Sequence, residues 1–391
     1  MRAAVTGLGV VSPVGLGVEK HWAAVLRGES GISPLEQYDA YPAKMAGQVP
    51  DFVAEDHVPP RLLPQTDRMT RLTFAAVDEA LADAGAAEGR PEYSMSVATA
   101  ASAGGYEFGQ RELGKLWSQG PGHVSAYQSF AWFYAVNTGQ ISIRHGMRGP
   151  SGVVVTDDAG GLDVLSQARR HLRRGSRLVV TGAVDSNLCP WGWVAHLAGG
   201  RIARGIDGHV YRPFDPDADG SVPAEGGAIL IVEPDDERPG TGYGFLAGHA
   251  STFDGAAEEP GLGLRRAAEG ALRDAGLSPG DIDLVLPDAA GVPELDRAEE
   301  RVLVELFGVR GVPISVPKTM TGRACAGTGS LDTAHALLAL RDGVVPPAIG
   351  VREPPEDLDL VLDRPRPASL SAALILARGR GGFNAAVVVT R

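Results

Sequence analysis

Short apolar runs rich in Val, Ile and Ala alternate along this chain with stretches of helical period, the pattern of an α/β protein. Ala3–Val5, Met95–Ala98, Gly152–Val155, Leu178–Gly182 and Ala228–Val232 are predicted strands. The opening residues up to Gly7 read as a first strand and turn, not as a signal peptide, because Gly and Pro soon interrupt the apolar run. Met69–Ala84 and Leu162–Arg174 are predicted helices, the second stopping at Gly175 after two arginines. The Pro/Asp/Glu-rich stretch Glu233–Gly240 has the composition of a linker or surface loop. Beyond it the pattern starts again. Strands are expected at Tyr243–Leu246, Ile282–Leu286, Ile314–Val316, Ala372–Ala377 and Ala385–Val389. Helices are expected at Leu264–Ala275, Glu294–Phe307 and Leu331–Arg341.

The two stretches overlay. Val153–Thr156, a tight turn and Gly161-Leu162-Asp163 open a helix that ends Leu172-Arg173-Arg174-Gly175. In the second half a strand, a glycine-rich turn and Ser330-Leu331-Asp332 open a helix that ends Leu340-Arg341-Asp342-Gly343. The spacings differ by one residue, which makes a weak repeat, of a period that suits a duplicated βα half rather than a solenoid. The expected halves are residues 1–236 and 237–391.

The chain has 391 residues, 44% hydrophobic and 21% charged, enough to bury a large core. A net charge of −12 argues against a nucleic-acid surface and against an acidic membrane surface. No run approaches the roughly 18 apolar residues of a membrane span. The two cysteines, Cys189 and Cys325, match no metal or disulfide framework and point to a reducing cytoplasm. The nine histidines form no metal-ligand spacing, so no metal site is expected. The glycine-rich segments fit neither a Walker loop nor a dinucleotide fingerprint and read as tight turns.

The strand–turn–helix at Val153–Leu165 is where an α/β enzyme places a nucleophile, with the helix N-terminus stabilising negative charge. Here the turn reads Thr156-Asp157-Asp158-Ala159-Gly160-Gly161, without thiol or hydroxyl nucleophile at its apex. Helix capping by Asp157 or Asp158 is the plainer reading. Cys325, in a glycine-rich segment, is a lone thiol; its alternatives are nucleophile and small buried hydrophobe. Cys189 is read the same way. Arg169, Arg170, Arg173 and Arg174 form a basic strip, either a solvated helix end or a docking patch for an acidic carrier protein. Gly104–Leu113 reads as a helix start with Tyr106, Gly109 and Leu113 on one face, spanning roughly 10 Å. Gly109 either leaves room there or allows close helix packing.

Several longer segments carry a specific resemblance. Ser129-Phe130-Ala131-Trp132-Phe133-Tyr134-Ala135-Val136-Asn137 runs on through Gly139–Gly146 to Arg148-Gly149-Pro150. Cys189-Pro190-Trp191-Gly192-Trp193, Pro317-Lys318-Thr319, the opening Val5–Gly9 and the closing Gly381-Gly382-Phe383-Asn384 belong to the same set. Together they resemble the β-ketoacyl synthase family, and within it the chain length factors (ketosynthase β subunits) of bacterial type II, aromatic polyketide synthases. The resemblance covers the whole chain. It implies the α/β thiolase fold, two duplicated βα halves in a five-layered αβαβα arrangement.

An active ketosynthase uses a cysteine nucleophile and two histidines. The resemblance assigns these positions to Asp158, Asp288 and Arg323. A carboxylate does not carry a thioester, and arginine is no base near neutral pH. Chain length factors usually have glutamine where this chain has Asp158, which puts decarboxylation of malonyl groups here in doubt, since a carboxylate repels a carboxylate. The implied role is non-catalytic, in antibiotic biosynthesis: a heterodimer with a cognate ketosynthase α subunit, and a wall for the polyketide tunnel. Tyr106, Gly109, Leu113 and Phe130 are the implied chain-length gate, open at Gly109. No cofactor is implied on this chain, because the substrate arrives on the phosphopantetheine of an acyl carrier protein. The competing reading is an independent thiolase-fold acyl transferase that uses Cys325.

Overall fold

The computed structural model describes residues 2–85, 89–236, 242–255 and 259–391. Met1 and residues 237–240 of the expected linker lie outside them. The first half contributes β1 (Ala3–Ser12), α1 (Arg68–Ala84), β2 (Met95–Ala100), α2 (Tyr106–Gln119) and α3 (Val136–Arg144). These are followed by β3 (Ser151–Val154), α4 (Gly160–Arg173), β4 (Leu178–Ser186), α5 (Pro190–Ala198) and β5 (Glu225–Pro234). The second half contributes β6 (Gly244–Phe253), α6 (Leu262–Ala275), β7 (Leu284–Leu286), α7 (Pro293–Phe307) and β8 (Pro313–Ile314). It closes with α8 (Ala326–Asp342), β9 (Asp359–Leu360), β10 (Ala372–Arg378) and β11 (Phe383–Thr390).

The repeat seen weakly in sequence is explicit in the sheet. The first half runs β3-β2-β4-β5-β1, and the second runs β8-β7-β10-β11-β6 with β9 added outside β8. In both, the first pairings are parallel and the last two antiparallel. The two sheets join where β1 pairs briefly with β6, at Ala4↔Phe245 and Val5↔Gly244. α4 and α8, the two helices that the overlay matched, lie together between the sheets. Their contact is close because Gly161 has no side chain: a Cβ there would sit 2.1 Å from the Ala326 carbonyl oxygen. α1 covers the outer face of the first sheet and α6 that of the second. This is the five-layered thiolase arrangement.

One expectation needs correcting. Gly7 and Gly9 do not form a turn; β1 continues through them to Ser12. A Cβ at Gly9 would meet the Ala76 carbonyl oxygen at 1.9 Å, and one at Gly7 the Ala80 oxygen at 2.3 Å, so these glycines let α1 lie against the strand. α5, which carries the Cys189–Trp193 segment, was not predicted as a helix; it is short and begins with Pro at its first turn. Among the described residues no helix is long and apolar enough to cross a membrane.

Candidate functional site

The loops after β3 and β7 and the segment that leads into α8 converge on one point. Each turns on a non-glycine residue in the left-handed region: Asp157 (φ 53°), Ala289 (φ 48°) and Cys325 (φ 48°). Such residues cost on the order of 1–3 kcal/mol each and persist where the surroundings leave no alternative. Here they bring Asp158, Asp288 and Arg323 together, from widely separated parts of the sequence.

Arg323 is the hub. Its Nη2 donates to Asp158 Oδ2 and to Asp288 Oδ1, both at 2.8 Å, while Nη1 donates to the Asp288 carbonyl at 2.6 Å. Asp288 also accepts from the backbone N–H (3.0 Å) and Nε (3.1 Å) of Arg378. Behind it, buried Glu299 accepts the N–H groups of Asp288 and Ala289 at 2.7 and 2.8 Å and pairs with Arg378 at 3.1 Å. Lys318 donates to the carbonyls of Pro287 and Asp288 and pairs with buried Asp332 at 2.6 Å. Burial opposes the charged forms of Asp288, Arg323, Arg378 and Asp332, but the pairing outweighs it at all four. At Glu299 burial prevails and pushes the carboxyl up. Arg323, Arg378 and Lys318 hold the Asp288 carboxyl well below the usual carboxylate range. Asp288 and Asp158 likewise hold the Arg323 guanidinium charged far above its ordinary value.

The capping reading of the turn is wrong. Neither aspartate caps the following helix. Asp158 is taken by Arg323, and Asp157 Oδ2 accepts the Arg380 backbone N–H at 2.7 Å. Burial and the neighbouring Asp158 push the Asp157 carboxyl up. The turn is braced by Asp163, which accepts from Thr156 Oγ1 at 2.7 Å.

Cys325 is half-buried beside this centre rather than packed away in the core. Burial first, then Asp158, Asp185 and Asp157, push its thiol well up. Asp185 itself, at the end of β4, is pushed up to about 7 by burial. His335 does not reach Cys325; it lies in α8 with Nε2 at 2.9 Å from that of buried His21. A thiol without base or cation is a poor nucleophile. Iodoacetamide at pH 7.5 is therefore expected to modify Cys325 at least about tenfold more slowly than a free cysteine, by peptide mass spectrometry, with full labelling after denaturation. Burial likewise pushes up the Cys189 thiol.

A cavity of about 180 Å³ opens over the centre, lined by Asp157, Asp158, Arg323, Cys325, Tyr106 and His196 among others. Tyr106 begins α2, where Gly109 is buried and Leu113 half-buried on the same face. The space beside Gly109 is not open within the chain. A Cβ there would lie 3.3 Å from the Trp191 ring and 3.5 Å from Trp132 Cβ. The glycine thus serves close packing of α2 against these two aromatics, and Trp191 also sits beside Tyr106, their ring centres 5.8 Å apart. Phe130 is half-buried in the segment that follows α2, edge-on to Tyr127. Sequence reading missed Trp191, Arg378, Glu299 and Asp332 as parts of the site. The signal for Glu299 was a charge among the apolar positions of α7, beside Ala298, Val302 and Leu303.

A thiolase fold with a strained strand–turn–helix apex beside a buried ion network defines a ketosynthase-class chain. The comparisons agree on the class. Residues 1–238 match the N-terminal domain of β-ketoacyl synthases and residues 243–352 the C-terminal domain. The chain is 54% identical over 405 residues to the actinorhodin polyketide putative β-ketoacyl synthase 2 of Streptomyces coelicolor, covering 100% of this chain and 99% of that one. It is 54% identical over 402 residues to the tetracenomycin polyketide synthase ketoacyl synthase β subunit of Streptomyces glaucescens, covering 99% and 98%. Among solved structures, the ishigamide ketosynthase/chain length factor superposes with a TM-score of 0.91 at 25% identity, covering 100% of this chain and 98% of that chain. A type II polyketide acyl-carrier protein in complex with its ketosynthase gives 0.89 at 25% identity, over 100% and 99%. The chain belongs to the β-ketoacyl synthase family, among the β subunits, or chain length factors, of type II polyketide synthases.

Proposed function

We propose that this chain performs no condensation itself and acts by completing and shaping the polyketide tunnel of a partner ketosynthase. The observation that carries this reading is the Asp158–Arg323–Asp288 network. Where a condensing enzyme needs a thiolate and two neutral imidazoles, this chain holds two carboxylates on a buried guanidinium. None of these groups accepts an acyl chain as a thioester or acts as a base near neutral pH. The cavity over the network, at about 180 Å³, is also smaller than the roughly 300–1,000 Å³ of ordinary ligand sites, so a growing poly-β-ketone needs walls from a second chain. The substrate would arrive on the phosphopantetheine arm of an acyl carrier protein, with the partner ketosynthase α subunit supplying the nucleophile.

The surface supports pairing. Among the described residues β3 is the free edge of its sheet, with Ser151 and Gly152 exposed and Val153 and Val154 half-buried. Near it in the chain, Trp132, Phe133 and Tyr134 are each 40–48% exposed, Val155 is 44% exposed and Ile143 is 78% exposed. An apolar edge of this kind invites strand pairing and an obligate interface. Ile143→Asp together with Trp132→Asp should reduce co-purification with the α subunit by at least about tenfold, because charges would enter a desolvated patch. Undiminished co-purification would place the interface elsewhere. Incubation of the isolated chain with acyl- or malonyl-carrier protein should leave its intact mass unchanged, whereas the α subunit gains an acyl group. An acyl adduct on Cys325 would instead establish the independent transferase.

A further inference from the structure

The position of α2 depends on one carboxylate outside it. Asp67 is 2% exposed and stands at the N-cap of α1, where its Oδ1 accepts the Met69 N–H at 2.8 Å. Its other oxygen accepts the Phe108 N–H, also at 2.8 Å. Phe108 is the third residue of α2, and the residue before that helix, Gly105, has no side chain with which to cap it. One side chain thus caps two helices, each of which presents unsatisfied N–H groups and the positive end of its dipole. The neighbouring backbone is shaped for this. A Cβ at Gly105 would lie 2.7 Å from Asp67 Cβ and 2.4 Å from the Ala131 carbonyl oxygen, and one at Gly104 would lie 1.4 Å from the Trp132 carbonyl oxygen. Glycines at both positions let the start of α2, Asp67 and the Ala131–Trp132 backbone meet. Farther along, Gln110 Oε1 accepts the Trp191 N–H at 2.7 Å, and buried Glu112 accepts the Ser125 N–H at 2.8 Å. Burial pushes the Asp67 carboxyl up to about 6 against the two backbone hydrogen bonds, so at neutral pH the charged, double-capping form prevails.

We infer that Asp67 is a positioning residue for product length: by holding the N-terminus of α2 it fixes Tyr106 and Gly109 against Trp191. This rests on the reading of α2 as a tunnel wall. Serine separates the two caps, because one hydroxyl can cap α1 but cannot also reach Phe108. The heterdimer with the α subunit is isolated by size exclusion for Asp67→Ala, Asp67→Ser and Tyr106→Ala, and the chain lengths of its products are measured by mass spectrometry. Both Asp67 variants are expected to shift the ratio of the main product to its length variants by about fivefold, the change that loss of one helix cap produces in an equilibrium. A ratio unchanged in Asp67→Ala, or restored to the parent value in Asp67→Ser, would show that Asp67 serves folding alone and overturn the inference. If Tyr106→Ala shifts length while Asp67→Ser does not, only the role of Asp67 falls. If none of the three shifts it, the reading of α2 as a wall falls too.

Discussion

Replacing Arg323 with alanine is expected to destabilise the chain by about 3–5 kcal/mol, the range for breaking a buried ion pair by removing one partner. Arg323 is 8% exposed and Asp288 is 2% exposed, so neither water nor another cation can readily take the place of the guanidinium. Asp158 would lose its only cation in the network, and Asp288 would keep only the one-sided support of Arg378 and Lys318. The pH dependence gives the sign. The Asp288 carboxyl is held below its ordinary value in the folded chain, so its pairing stabilises the fold above about pH 4 and is lost as the pH falls through the folded value. The gap between parent and Arg323→Ala should therefore be widest near neutrality and narrow below about pH 4, where the mutant's carboxylates take up protons. Urea titrations at pH 7 and pH 3.5 measure both. A loss under about 1 kcal/mol at pH 7 would mean that water already screens the network.

If Asp158 stands at the nucleophile position, as proposed, its substitution alone is not expected to produce a condensing enzyme. A thiol at position 158 would lie beside Arg323, which favours the thiolate, but Asp288 and Arg323 would still stand where two neutral imidazoles are needed. The network is closed on itself: Asp158, Asp288, Glu299 and Asp332 are each paired with a guanidinium or ammonium.

Much of this was legible in the sequence, for physical reasons. Strands buried on both faces read as Val/Ile/Ala runs and most helices carry an apolar face, so many elements fell within a few residues of their bounds. β1 and β6, however, run on to Ser12 and Phe253, well past the ends read for them. The overlay of Gly161-Leu162-Asp163 with Ser330-Leu331-Asp332 was read only as a weak repeat; that its two helices pack on one another, with Gly161 and Gly329 at the contact, came from the structure. Asp158, Asp288 and Arg323 were singled out through resemblance, but their contacts with one another were not legible. Arg323 and Asp158 are 165 residues apart, and no periodicity links them. Arg378, one residue past a predicted strand, and Asp67, two before a predicted helix, carried no reading at all. The room at Gly109 was misjudged for the same reason: Trp191 fills it from a helix whose short, proline-led sequence gave no warning.

The chain's claim to set product length is tested most directly at Gly109. The Cβ of alanine would lie 3.3 Å from the Trp191 ring, a tolerable crowding, but a phenylalanine ring cannot share that space. Trp191 is 45% exposed and can swing aside, so Gly109→Phe should fold; its helix propensity even favours it by a few tenths of a kcal/mol. One of the two rings must then protrude on the face that Tyr106 and Leu113 share, across the path of a growing chain. The decisive measurement is the mass of the polyketides released by the α subunit reconstituted with the parent chain or with Gly109→Phe, at equal heterodimer concentration and with malonyl-carrier protein. A main product shortened by at least one two-carbon unit, with assembly intact, is the predicted result. The same product at the same length from a fully assembled, active Gly109→Phe complex would contradict it.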